Sequence, residues 1–487
     1  MMATWEDGGF TERLRAMPSG AKRAAAIAGL VALGAIWGTA VAIAGPAAAL
    51  ICVSLIACIF CIRDFRAGVV MLIVIMPISS SYLFPHSMFG ITGLNPLNLL
   101  LATTLAAYAM NCAGSGAFKG FVPRPLVLLY VVPIVAGGLL GMSHVGLIPP
   151  EFRALEQIEY DAPGGYLRDL VVKPLFLVLY ALLVAAGVSR SKNAERYFTP
   201  LLVSMFTMGI MVVGFTIASG VSLAQLAGSY SRSFFSPLGM HANDLGRLYA
   251  TAYALLLFIW DRTARPALKT VLVVTMGIVA IALTLTFSRG AFVGFILVNV
   301  IYLFSRRKLK TLVMGVMVVP VVLFLMPGAV WSRFEMGFGQ GADAVSAGRV
   351  KEIWLPLLPE VMDRPIWGHG LQSILWSNAM RHGRILEVTH PHSAFLQALL
   401  DTGVIGLVLL MMFWIGHVWK GFRRLAKDPL LSPELQGFFE GAAAGLLAFV
   451  IVNVAGSSFF PVPEQSFLWL AVGIMYGLRQ RLGATTR

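Results

Sequence analysis

Apolar runs separated by short charged breaks fill most of this chain. A membrane-spanning helix needs about 20 consecutive, mainly apolar residues, and many of these runs reach that length. The pattern predicts an all-α polytopic membrane protein with about 12–14 transmembrane helices. The stretch 84–95 is also compatible with a re-entrant turn. Fourteen spans are predicted near 24–43, 46–62, 67–84, 96–112, 125–143, 170–188, 197–219, 242–260, 270–287, 290–304, 311–329, 395–419, 438–456 and 465–478.

Composition supports a membrane protein and argues against nucleic-acid binding. Of 487 residues, 58% are hydrophobic and 12% are charged, with a mean hydropathy of +0.80. Soluble chains carry about 25% charged residues, so this chain lacks the polar surface to cover itself in water. The net charge of +14 comes from basic residues in short loops between apolar runs, where they orient helices. The four cysteines lie in or beside apolar runs, which favours packing over disulfide or metal roles.

Loop charges give a consistent topology. With the N-terminus in the cytoplasm, 25 of the 37 lysines and arginines fall inside and 12 outside, as the positive-inside rule requires. Residues 1–23 then form a cytoplasmic segment, and both termini are cytoplasmic. The run 24–44 resembles a signal peptide, but a second apolar run follows at once, so we interpret it as an uncleaved first helix.

Two outer segments are long. One spans 144–169, and a large periplasmic loop spans 330–394, between the eleventh and twelfth predicted spans. Within this loop, Val350–Met362 has the pattern of a short amphipathic helix. The predicted organisation is an N-terminal transmembrane bundle (24–329), the loop, and C-terminal transmembrane helices (395–487).

Several motifs of nucleotide and metal chemistry are absent from the sequence. There is no Gly-Lys-Ser/Thr phosphate loop for ATP. There is no Asp-x-Asp pair for a metal-bound nucleotide sugar, and no His-Glu-x-x-His zinc helix. We therefore expect no cofactor and no metal site.

A first candidate site is Arg289, in the motif Ser288-Arg289-Gly290 at the outer junction of two apolar runs. The free energy of placing a guanidinium in a membrane is less unfavourable at the interface than at the centre. A guanidinium there can bind phosphate through two hydrogen bonds. The alternative is an arginine that only anchors a helix end at the interface.

The large loop carries the second candidate. Arg349 lies near the start of the predicted loop helix, where backbone N–H groups also favour anions. Arg364 and His369 follow in a segment where Pro365 and two nearby glycines, Gly368 and Gly370, favour a tight turn. The alternative is a surface helix with ordinary solvated charges.

The end of the loop carries the third candidate, His390-Pro391-His392-Ser393. The proline favours extended backbone, which places both imidazoles on one side, and Ser393 is a plausible cap for the next span. Histidine titrates near neutral pH and can take a proton from a hydroxyl. A zinc site would need a third ligand such as His369 or His382, in a spacing that follows no zinc pattern. Asp401, about two turns into the span, is a candidate partner for an arginine.

Taken together, these motifs resemble the O-antigen ligase and polymerase superfamily over residues 284–415. A weaker resemblance covers residues 240–246, beside Arg247. The resemblance implies a GT-C-like, metal-independent membrane glycosyltransferase. It places Arg289, Arg349 and His392 in catalytic roles. Substrate-binding roles then fall to a second group: His390, Arg247, Asp244, Arg364 and His369.

The resemblance also implies the substrates and the compartment. The donor would be a glycan on undecaprenyl pyrophosphate, and the acceptor another glycan or lipid A core. The site would face the periplasm from the bacterial inner membrane, in lipopolysaccharide or exopolysaccharide biosynthesis. Ligation, polymerisation of repeat units and transfer to a protein stay open. From a different class, the many spans also suit a lipid-linked oligosaccharide flippase, although the two related halves expected of such a transporter are not visible in the sequence.

Overall fold

The structure is a computed structural model. It describes a defined part of the chain: residues 46–82, 87–88, 91–93, 95–113, 121–155, 158, 160–228, 231–306, 341–346, 348–385, 388–456 and 458–485, and the single positions 31, 35, 39, 328, 332, 335 and 339. The predicted cytoplasmic segment 1–23 lies outside these residues, as do almost all of the predicted spans 24–43 and 311–329.

The described fold is helical. Its longer helices, numbered here in chain order, are α1 (Pro46–Arg63), α2 (Phe65–Ile75), α3 (Pro96–Ala113), α4 (Arg124–Leu147), α5 (Pro163–Ser189), α6 (Ala194–Ala218), α7 (Ala242–Arg262), α8 (Pro266–Leu285), α9 (Arg289–Arg306), α10 (Leu355–Asp363), α11 (Ala394–Leu425), α12 (Pro433–Ala455) and α13 (Ser466–Thr485). A π-helical turn, Val350–Trp354, leads directly into α10. Shorter helical turns lie at Pro150–Leu155, Leu223–Ala227, Ser231–Phe234, Ser236–Leu238, Ala342–Val345, Ser373–Trp376, Asn378–Arg381 and Pro463–Gln465.

One small strand pair interrupts the helices. Ser87–Met88 pairs with Ile91–Thr92 in antiparallel register, inside the stretch where the sequence also permitted a re-entrant turn. Apart from this pair, regular structure in the described residues is helical. The prediction of a helical protein is confirmed.

Within the described residues, seven helices are long and apolar enough to cross a membrane: α4, α5, α6, α8, α9, α11 and α12. The total of fourteen spans stays a prediction. Two helix boundaries differ from the predicted ones. The predicted span 67–84 becomes α2, which ends at Ile75 because Pro77 follows and disfavours helix before it. The sixth span begins earlier than expected, since Pro163 starts α5 in the first-turn position that proline favours.

Helix α7 forms the centre of the bundle. Most of its residues are buried, and it packs mainly on α12, with α8 and α9 beside it. Glycines on α12 allow the two backbones to approach closely: a Cβ at Gly441 would lie 2.6 Å from Ala254 O. Small residues at helix contacts are the usual means of tight packing in membranes.

Charged side chains join α7, α9 and α12 at one end of this core. Arg306 contacts Asp261 at 2.8 Å and Glu440 at 2.7 Å, and Arg262 also pairs with Glu440. The C-terminal ends of α7 and α9 and the first half of α12 therefore lie together. The opposite ends of the same three helices must meet at the other end of the bundle, which is where the candidate residues are found.

Candidate functional site

The first turns of α7 hold a buried charged group. Arg247 donates two hydrogen bonds to Glu464, from Nε to Oε1 and from Nη2 to Oε2, each 2.9 Å long. Arg247 also donates to Asp244, one turn earlier on α7. The side chains of Arg247 and Glu464 are both buried. A buried ion pair needs this kind of two-point geometry to offset the loss of hydration.

Glu464 was not identified from the sequence. It lies in the short helical turn Pro463–Gln465 just before α13, in a segment without a recognisable motif. One signal was available: a single carboxylate at the outer end of the last apolar run, on the same predicted side as Arg247. An arginine in a membrane protein usually has a partner facing the bundle interior, and Glu464 supplies such a partner in addition to Asp244.

The two histidines of the third motif contact each other. The rings of His390 and His392 meet edge to face, with centroids 4.2 Å apart. His392 adopts a left-handed backbone conformation, φ +52°, at the residue before the cap of α11. Ser393 caps the helix as predicted, with its hydroxyl accepting from Leu396 N at 3.4 Å. The motif therefore forms a tight turn that presents both imidazoles at the start of α11.

His390 lies among the charges of α7 and the large loop. Burial lowers the pKa of His390 to about 4, since the charged ring loses more hydration than the neutral one. Asp244 opposes this shift, while Arg247, Arg349 and His241 reinforce it. These interactions place the histidine turn beside the first turns of α7 and beside Arg349. His390 is therefore neutral at pH 7.

Arg349 is held from two sides. Its Nη1 donates to Ala455 O, 3.2 Å away, at the end of α12. On the helical turn that follows Arg349, Trp354 donates Nε1–H to Pro391 O at 2.8 Å, between the two histidines. The start of the loop helix is thus fixed both to α12 and to the histidine turn.

Arg289 begins α9 at the same end of the bundle. A Cβ at Gly290 would meet Val452 Cγ1 at 3.1 Å, in the last turn of α12. A Cβ at Gly246, next to Arg247, would lie 3.2 Å from Ser288 Cβ. The helix starts that carry Arg289 and Arg247 therefore pack together, beside the end of α12 that accepts the hydrogen bond from Arg349.

The remaining candidates lie elsewhere. His369 lines an open cleft together with His144, Glu360 and Trp376. Its Nε2 is 2.8 Å from Glu360 O, a contact that fixes the ring within the loop. Arg364 is exposed at the end of α10. In the described residues, no hydrogen bond or ion pair joins these two side chains to the histidine turn.

Asp401 pairs with Ser373 and not with an arginine, which the sequence had suggested as its partner. Its Oδ1 accepts hydrogen bonds from the backbone N and the hydroxyl of Ser373, both at 3.0 Å. It therefore holds a turn of the large loop against α11. In the part of the chain that the structure describes, no group of three or more His, Cys, Asp or Glu side chains is arranged to hold a metal ion.

Fold and site together define a helical membrane protein with a cluster of arginines, histidines and carboxylates at one end of its bundle. Residues 271–411 match the family model for O-antigen ligase, Wzy_C. The matched range runs from α8 into α11 and includes Arg289, Arg349, His390 and His392. The predicted resemblance to the O-antigen ligase and polymerase superfamily is thereby confirmed over this part of the chain. No curated protein matches the sequence.

Proposed function

We propose that this chain is a glycosyltransferase that moves a glycan from a polyprenyl pyrophosphate to an acceptor hydroxyl at the outer face of the bacterial inner membrane. One observation supports this most directly: Arg349, His390 and His392 of the O-antigen ligase region meet at one end of the bundle, beside Arg247 and Asp244 of α7.

The proposed reaction exchanges one bond at the anomeric carbon of the donor sugar. The bond from that carbon to the pyrophosphate oxygen breaks, and a bond to the acceptor oxygen forms. Negative charge develops on the departing pyrophosphate, and fixed guanidiniums stabilise such charge well in a site with little water. Arg349 and Arg289 are the proposed phosphate-binding residues.

The acceptor hydroxyl must lose a proton during the same step. A general base works best when its pKa lies near the working pH. Because the pKa of His390 is held near 4, His390 is a weak base and is better suited to orient the acceptor through a hydrogen bond. We therefore assign His392 as the base and His390 as its neutral neighbour. The chemistry needs no metal ion, so activity is expected to survive EDTA.

The proposal is tested with purified protein in vesicles that contain a lipid-linked repeat unit and a core-type glycan acceptor. Elongation of the lipid-linked glycan identifies a polymerase, and transfer to the core acceptor identifies a ligase. Movement of the lipid-linked sugar across the bilayer with no new glycosidic bond would reject the transferase and identify a flippase. Deletion of the gene separates the first two in cells. Loss of long chains indicates a polymerase, whereas an intact polymer left on its lipid carrier indicates a ligase.

A further inference from the structure

The loop helix α10 is apolar on two opposite sides. One side packs on the protein through Leu357, which is buried. The other side carries Leu355, Leu358 and Met362, which are 53%, 48% and 73% exposed. These three recur every three or four residues and so form one stripe along the helix. An exposed apolar stripe of this kind indicates a surface that contacts an apolar partner.

The stripe continues into the segment after the helix. Ile366 and Trp367 are 54% and 69% exposed, and their backbone is fixed to α11. Val404 N donates to Pro365 O at 2.8 Å, and Ile405 N donates to Ile366 O at 3.3 Å. Carbonyl oxygens of the loop thus accept the hydrogen bonds from Val404 and Ile405 that carbonyls one turn earlier in a regular helix would accept.

A break in α11 makes this attachment possible. Gly403 has φ 65° and ψ −171°, outside the helical region. A Cβ at this position would lie 2.2 Å from Ile366 O. On the other side of the break, His369 N donates to Leu400 O at 2.8 Å. The loop segment is therefore built into α11 and does not simply rest on it.

The position of the break sets the depth of the stripe. Helix α11 has 32 residues, whereas about 20 are enough to cross the hydrocarbon core. Counted back from Lys420, the first charged residue at its far end, about 20 residues reach Leu400. The break at Gly403 therefore falls near the boundary between hydrocarbon and headgroups, the depth at which tryptophan is enriched in membrane proteins.

The surface of α11 beside the break is also apolar. Val404 and Val408 are each 48% exposed on this span, as expected of side chains that face lipid. The pair Ile366–Trp367 follows the stripe on α10 in the chain and is joined to this end of α11 by the hydrogen bond from Ile405 N to Ile366 O. Exposed Lys351 lies just before the stripe, and exposed Arg364 lies between Met362 and Ile366, next to exposed Asp363. The two basic side chains suit phosphate headgroups.

We infer that residues 355–367 form a monotopic membrane element, whose apolar stripe lies among the acyl chains of the leaflet at this end of the bundle. The occupant of the surface is the bilayer itself. The inference does not depend on the proposed reaction. If that reaction is correct, the anchor also holds Arg349, which lies just before the stripe, at the depth of a lipid-linked pyrophosphate.

The test measures depth with spin labels on single cysteines, in full-length protein whose four native cysteines are replaced by alanine. Labels at 358, 362 and 367 are compared in phosphatidylcholine–phosphatidylglycerol vesicles with a control label at 382, an exposed loop position. We expect the three stripe labels to collide several times more often with oxygen than with a water-soluble nickel chelate, and the control label to show the reverse. A stripe as accessible to nickel as position 382 would overturn the inference.

The alternative is that a second copy of the chain covers this stripe. One further measurement distinguishes a dimer from contact with the bilayer. Two chains packed through this stripe would bring their labels at 362 close together. Pulsed dipolar spectroscopy at decreasing protein-to-lipid ratio is expected to show no short distance. A short distance that persists on dilution would assign the surface to a dimer and reject the membrane element.

Discussion

The indole of Trp354 donates its N–H to the carbonyl oxygen of Pro391 over 2.8 Å. This bond joins the helical turn that follows Arg349 to the turn that presents His390 and His392. Two motifs are thereby held together through residues that lie 37 positions apart in the sequence. Neither Trp354 nor Pro391 takes part in the proposed reaction. Their hydrogen bond therefore acts by positioning Arg349, His390 and His392.

Trp354→Phe is expected to slow glycan transfer without unfolding the protein. A hydrogen bond of this type contributes about 1 kcal/mol, which corresponds to roughly a fivefold change in an equilibrium or a rate. The expected effect is a reduced kcat with little change in KM for the donor, measured on purified protein in vesicles. Trp376→Phe is a matched control, because the N–H of Trp376 is buried and donates to no partner in the described structure. Equal activity in the two variants would contradict a positioning role for Trp354.

The two arginines and His392 are expected to be essential. Arg289→Ala, Arg349→Ala and His392→Ala should each lower the rate of glycan transfer by about 100-fold or more, the usual effect of removing a charge-stabilising group or a general base. Arg384→Ala serves as the control, since Arg384 is an exposed arginine of the same loop. Membrane insertion is checked by the amount of folded protein extracted. Normal product from two of the three variants would reject the assigned site.

The sequence predicted the parts of this arrangement that follow from local pattern. Apolar periodicity located most of the described helices, and the prediction of a helix at Val350–Met362 is confirmed by the π-helical turn and α10 together. The cap at Ser393 followed from its side chain and from the apolar run after it. These features depend on neighbouring residues, so one sequence is enough to show them.

Features made by distant segments could not be predicted in this way. Glu464 pairs with Arg247 from 217 residues away, and the signal for this pair in the sequence is only a single carboxylate on the same predicted side of the membrane. The break at Gly403 depends on the close approach of the carbonyl of Ile366, which belongs to the loop. Arg364 and His369 share a sequence segment with the motif of Arg349, yet α10 leads them to a different part of the surface.

Removing one partner of the buried pair on α7 is expected to destabilise the protein. Glu464→Gln leaves Arg247 with a reduced counter-charge, and breaking a buried pair in this way costs about 3–5 kcal/mol. The thermal unfolding temperature in detergent should fall clearly. Arg247→Met combined with Glu464→Leu removes both charges and should restore most of the lost stability, because apolar replacement of a whole pair is often neutral.

The double variant also separates structure from function. If Arg247 contributes to donor binding, the Arg247→Met/Glu464→Leu protein should be stable and still transfer glycan at least 10 times more slowly than the natural chain. Full activity in a stable double variant would show that the pair serves only to join α7 to the turn before α13.

The protein should lose stability as the pH falls from about 6.5 towards 4. In the unfolded chain a histidine binds a proton below pH 6.5, whereas the pKa of His390 in the folded protein is about 4. Between these values the unfolded state binds more protons, so acid favours unfolding. The full effect is on the order of 3 kcal/mol and is complete near pH 4. Melting temperatures of the natural chain and of His390→Gln, measured from pH 7 to 4, check this. The variant should lose less stability over the range, and parallel curves would show that His390 is not responsible.

Gly403→Ala tests whether the broken helix holds the large loop in place. The backbone conformation of Gly403 is one that residues with a side chain rarely adopt, at a cost of about 1–3 kcal/mol, and the new Cβ would also meet Ile366 O at 2.2 Å. To relieve this contact, the loop must move away from α11 and lose the hydrogen bonds from Val404 and Ile405. We therefore expect a lower melting temperature and faster hydrogen exchange at the amides of residues 404 and 405, followed by mass spectrometry. Gly416→Ala, on the same helix, is the control, since its added Cβ would meet nothing closer than Met412 Cβ at 3.9 Å. If the two alanine variants melt and exchange alike, the hydrogen bonds across the break contribute little, and another contact must hold the loop on α11.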